Sequence, residues 1–130
     1  MSEAVRGVVV AHGAMADGLV DAVRRIAGGG ADGLTAISNE GKGPAELQEE
    51  LRGVGGEGPV VVFADMHSGS CGMAAFASCR DCGRRQVVIC GVNLPILLDF
   101  VFHREMPLDD LVERLLAKGR AGIQQYPSEG

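Results

Sequence analysis

The sequence predicts an α/β fold, an open and mainly parallel sheet of four strands with helices on both faces. Three observations lead there. The continuous apolar runs "VRGVVVA", "GPVVVFAD" and "RQVVICGV" are what strands covered on both sides require. Segments of helical periodicity separate these runs, and such alternation implies parallel strands joined by right-handed crossovers. The chain has 130 residues, 46% of them hydrophobic, which suits one domain with a core of its own.

The elements follow in order. "VRGVVVA" is the first strand. In "MADGLVDAVRRIAG", Leu19, Val20, Val23 and Ile26 are expected on one helical face, and the run Gly28 to Gly30 stops the helix. "GLTAIS" is a shorter strand. Pro44 then opens the helix "PAELQEELRGV" in the tolerated first turn. "GPVVVFAD" is the clearest strand, followed by the small-residue helix "GMAAFASCRDCG". "RQVVICGV" is the fourth strand and "LPILLDFVFHR" an apolar helix. Pro107 opens the last helix, whose Leu108, Leu111, Val112, Leu115 and Leu116 recur at helical spacing. "GIQQY" is the only candidate for a fifth, edge strand. Residues 1–126 are expected to form a single domain and 127–130 a frayed tail.

Composition narrows the function. The formal charge of −5 and the lack of Trp argue against nucleic-acid binding, which calls for a basic face and stacking aromatics. No apolar run is long enough to enter a bilayer, and "MSEAVRG" is no secretory signal, so a cytoplasmic protein is expected. Reduced thiols are then expected at Cys71, Cys79, Cys82 and Cys90. Cys79 and Cys82 form a C-x-x-C pair, but Gly83 behind it reads as the end of a helix, whereas a redox pair would open one. No second ligand pair at zinc spacing accompanies it. Neither a metal nor a cofactor is expected.

In open parallel sheets, ligands sit beyond the carboxyl ends of the strands, where strand order reverses. The first strand ends at His12-Gly13, and the third ends at Asp65 and leads into "MHSGSCG". If strands one and three are neighbours, Asp65 can accept the proton on one ring nitrogen of His12. That fixes the tautomer and frees the other nitrogen as a nucleophile or base. Gly13, Gly69, Ser70 and the start of the following helices offer N–H and hydroxyl donors to an anionic partner such as a phosphoryl group. The nucleotide motifs G-x-x-x-x-G-K-[ST] and G-x-G-x-x-G are absent from the corresponding loops. A histidine at a strand end is more often structural than catalytic, Asp65 could simply cap a loop, and His103 fits a helix C-terminal cation.

Taken together, "VVVAHGAMADGL", "VVVFADMHSGS" and "VVICGVNLPILLD" resemble the enzyme IIA domain of the mannose family of the bacterial phosphotransferase system, over nearly the whole chain. The resemblance implies that His12 accepts a phosphoryl group on Nε2 from phospho-HPr and passes it to an acceptor, usually a IIB domain. The aspartate matching Asp65 would hold Nδ1. It also implies a homodimer, in some members with an exchanged edge strand. Relatives read D-[LT]-x-G-G-S-P after the third strand, whereas this chain reads "DMHSGSCG": Ser68 stands for the first glycine and Cys71 for the proline. Asp65, Gly69 and Ser70 remain. His67 falls where some relatives carry an aromatic residue and is expected to contact the incoming protein. With no IIB sequence after Gly130, the acceptor is expected on a separate chain. Two other functions remain open: a non-catalytic regulatory interaction module on this scaffold, and the phosphotransfer subunit of dihydroxyacetone kinase, from which the G-V-N-L-P segment leans away.

Overall fold

A computed structural model describes residues 4–54, 57–80 and 85–128. Four parallel strands, β1 (Arg6–Ala11), β2 (Leu34–Ser38), β3 (Val60–Ala64) and β4 (Gln86–Cys90), lie in the order β2-β1-β3-β4. The helices are α1 (Met15–Ala27), α2 (Pro44–Gly53), α3 (Ser70–Arg80), α4 (Leu94–Phe102) and α5 (Leu108–Ala121). The expected α/β architecture is therefore present, and β1 and β3 are neighbours. Val10 pairs with Ala64 at the end of their ladder, which sets the next residues of both strands side by side.

Strand order explains the placing of the helices. The chain leaves β1 for β2 on one side, then returns past β1 to β3 and moves on to β4. Right-handed crossovers put the helices of opposite steps on opposite faces. α1, α4 and α5 share one face, where Val9, Val61, Phe63 and Ile89 meet Val20, Val23, Leu97, Phe100 and Leu111. α2 and α3 cover the other, where Val8, Val10, Ile37 and Val62 meet Leu47, Leu51, Cys71 and Ala75. Alternate residues of β1 thus serve opposite cores, as a period of two requires. Phe63 and Phe100 pack edge to face, centroids 5.2 Å apart, a geometry that adds about 0.5–1.5 kcal/mol to their burial. A Cβ on Gly7 would lie 2.6 Å from Cε2 of Phe100, so only glycine admits this ring against β1.

Local signals mark the helix ends. Pro44 and Pro95 occupy first-turn positions. Asn93 caps α4 by accepting from the Ile96 amide at 3.0 Å and donates Nδ2 to the Gly119 carbonyl at 2.8 Å. The asparagine of the G-V-N-L-P segment therefore ties α4 to α5.

One expectation needs correction. Ile26 is exposed, because the buried stripe of α1 runs through Ala16, Val20 and Val23, and Ile26 falls off its edge. The glycines after α1 end it as expected, yet Gly28–Gly33 winds on as a 3-10 turn. Residues 122–126 form no strand. They pair with no strand among the described residues, and Ile123 and Tyr126 are exposed. Cys82 and Gly83, on which the reading of the C-x-x-C pair turned, lie outside the described residues. The Cys79 thiol donates to the Gln86 carbonyl at 3.2 Å.

Candidate functional site

The reversal of strand order falls between β1 and β3, and His12 and Asp65 are the first residues beyond those two strands. Although 53 positions apart, they meet. Nδ1 of His12 lies 2.6 Å from Oδ2 of Asp65, and the His12 backbone amide donates to the same oxygen at 3.0 Å. One carboxylate oxygen thus fixes both ends of the histidine. The His12 side chain is 42% exposed and that of Asp65 only 9%, so the acid sits below the ring.

This geometry fixes the tautomer. A carboxylate accepts and an imidazole N–H donates, so the ring proton lies on Nδ1 and Nε2 keeps its lone pair. Ser70 Oγ lies 3.3 Å from Nε2 and can donate to it. Burial pushes the Asp65 carboxyl up, but the hydrogen bonds from the His12 ring and amide, together with attraction to the ring, outweigh it. The net effect holds the acid below its ordinary value, so it stays ionised opposite the ring.

The loop into α3 shapes the other side. Gly69 has φ +94°, a conformation that side-chain-bearing residues rarely adopt, and a Cβ there would lie 3.6 Å from Cε1 of His12. A Cβ on Gly72 would lie 2.7 Å from the carbonyl oxygens of both Met66 and His67. That closeness folds the loop down on the first turn of α3. This turn carries no acidic residue, and its amides lie at the positive end of the helix.

Sequence reasoning missed Asn39. It follows β2, the strand on the other side of β1, and its Oδ1 accepts the Gly13 amide at 3.1 Å. Its Nδ2 donates to Ser70 Oγ at 3.4 Å. Ser38 donates to the Gly13 carbonyl at 2.8 Å. Gly13, expected to offer a free amide, therefore reaches the site with that amide engaged by Asn39. The chain Gly13–Asn39–Ser70–His12 Nε2 spans three strand ends. Its place directly after a strand hints at a role only once the strand order is known.

His67 is exposed and packs edge-on against Phe76 at 5.5 Å. Met15, Met66 and Met73 are exposed as well. His103 lies at the end of α4, where Nδ1 is 2.8 Å from the Asp99 carbonyl, as expected of a C-terminal cap.

A histidine tethered by a largely buried carboxylate thus stands with its other ring nitrogen beside the Ser70 hydroxyl. Comparison with known proteins gives the family. The family model described as the fructose IIA component of the phosphotransferase system matches residues 7–116. The chain belongs to the EIIA-man family. A structure of the phosphotransferase component EIIA from Streptococcus agalactiae is 25% identical, with a TM-score of 0.88 over 95% of this chain and 98% of that one. The mannose/sorbose-specific IIA subunit from Enterococcus faecalis is 21% identical, with a TM-score of 0.82 over 95% of each chain. A sigma-54 interaction domain protein, also from Enterococcus faecalis, is 17% identical, with a TM-score of 0.78 over 94% of this chain and 95% of that one. No curated protein matches. EIIA-man membership makes the chain a component of the phosphotransferase system, and among the described residues no helix is long and apolar enough to cross a membrane.

Proposed function

We propose that this chain is a phosphoryl carrier in which His12 accepts a phosphoryl group on Nε2 from phospho-HPr and hands it to a IIB-type acceptor. The observation that carries the proposal is the 2.6 Å contact between Nδ1 of His12 and Oδ2 of Asp65, which leaves Nε2 as the outward lone pair. That lone pair attacks phosphorus in line, and the donor imidazole departs with the electrons of the breaking P–N bond. The phosphorylated His12 ring keeps its Nδ1 proton and gains positive charge, which Asp65 stabilises from below. Ser70 turns its hydroxyl from Nε2 to a phosphoryl oxygen, and the Gly69 backbone and the first amides of α3 lie beside it. Asn39 holds Ser70 and the Gly13 turn in place. Catalysis here is positioning and electrostatics. Residues 1–126 act as one phosphocarrier domain, and the chain works as a cytoplasmic homodimer in sugar uptake or its regulation.

Intact-mass spectrometry after incubation with phosphoenolpyruvate, enzyme I and HPr tests this. The expected result is one added phosphoryl group on the wild type and none on His12→Ala. A second reading, a non-catalytic interaction module, draws on the departure of Met66 to Cys71 from the family pattern. No mass gain with a competent HPr would favour it.

A further inference from the structure

We propose that His12, Asp65 and Cys71 form a zinc site whose occupancy excludes phosphorylation. Its regulatory consequence rests on the phosphocarrier reading, whereas the metal site itself does not. An imidazole nitrogen, a carboxylate oxygen and the Cys71 sulfur all lie within 4.8 Å of one another. Tetrahedral zinc, with bonds of about 2.0–2.3 Å, keeps its ligands some 3.3–3.8 Å apart. Side-chain shifts of about an ångström bring the three atoms to that spacing. The mixed S, N and O donor set with three protein ligands fits zinc, and it does not fit magnesium or calcium, which prefer oxygen alone.

Asp65 supplies the independent observation. Both hydrogen bonds from His12 fall on Oδ2, while Oδ1 is buried with no hydrogen-bond partner. A buried carboxylate oxygen without a donor is costly, and a cation beside it removes that cost. Cys71, in the first turn of α3, is fully buried and free of any disulfide. It stands where the family pattern carries proline, so the donor set belongs to this chain. Burial and the nearby Asp65 charge push its thiol up, and zinc displaces that proton to solvent on forming the Zn–S bond. A water would complete the four-coordinate shell. Zinc at Nδ1 displaces the proton shared with Asp65 and cuts the tether; zinc at Nε2 occupies the nucleophile. Phosphoryl acceptance stops in both cases.

Competition titration of the full chain with zinc and a chromophoric chelator tests the site, alongside phosphorylation by purified phospho-HPr with and without zinc. One zinc per wild-type chain is expected. Cys71→Ser and Cys71→Ala should bind it at least about 10–100-fold more weakly, the loss that even an outer-shell change causes. Zinc should block phosphorylation of the wild type, while Cys71→Ala, folded by circular dichroism, should accept phosphate equally with and without it. Affinity unchanged in both Cys71 variants would overturn the site, and so would wild-type phosphorylation that continues with zinc bound. A wild type that fails to accept phosphate in metal-free buffer would instead sink the carrier reading, leaving the chelator titration to judge the metal site.

Discussion

His12 is defined by what surrounds it. Asp65, its side chain largely buried, holds both Nδ1 and the backbone amide through one oxygen and leaves Nε2 free of the carboxylate. Asp65→Asn offers a side chain that no longer neutralises the charged ring and that can present an N–H to Nδ1, favouring the wrong tautomer. Transfer from phospho-HPr, followed by rapid quench, should slow by about 10²–10⁴-fold, and an unchanged rate would remove Asp65 from the mechanism. Ser70→Ala leaves the backbone donors in place and removes one hydrogen bond, so a loss of about 3–10-fold is expected in the same assay. Asn39→Ala should cost at least as much, because Asn39 supports Ser70 and the Gly13 amide together. His12 and Asp65 were legible because a polar residue closing an apolar strand stands out within a few positions. Asn39 was not, because "SNEGKG" reads as an ordinary turn until strand order puts it next to His12.

At the scale of elements, the β3–α3 loop depends on a backbone approach that only glycine permits. Gly72→Ala would press a methyl against the Met66 and His67 carbonyls. We expect a loss of about 1–3 kcal/mol in urea unfolding, with slower transfer because Gly69 and Ser70 move with the loop. Unaltered stability would mean that the loop yields freely. The strands were legible from composition: β3, VVVFA, is buried at all five positions. Helix faces were legible to within one position. Val20 and Val23 are buried as expected, yet the 100° step of the helix places the buried Ala16 on their stripe and leaves Ile26 in solvent. The Asn93 tie between α4 and α5 could not be read from the sequence, since its partner Gly119 lies 26 residues away.

At the scale of the molecule, the order β2-β1-β3-β4 assembles the site. Each site residue lies at a strand end or helix start. The reversal between β1 and β3 sets those separate ends side by side. The alternation of elements announced the parallel sheet, but strand order is non-local and entered the sequence reading as a condition. The tail shows the same limit: "GIQQY" has the look of a strand, and no edge of this chain receives it. His67, Met15, Met66 and Met73 are exposed, and the proposed carrier function makes His67 a contact for the incoming protein. His67→Ala should therefore change the rate toward one protein partner more than another, and equal losses toward donor and acceptor would contradict that role. The most direct test is the position of the phosphoryl group on the ring. Long-range ¹⁵N–³¹P NMR of the phosphorylated protein, labelled at histidine, should show phosphorus bonded to Nε2 of His12 with Nδ1 still protonated toward Asp65. Phosphorus on Nδ1, or on any residue other than His12, would contradict it.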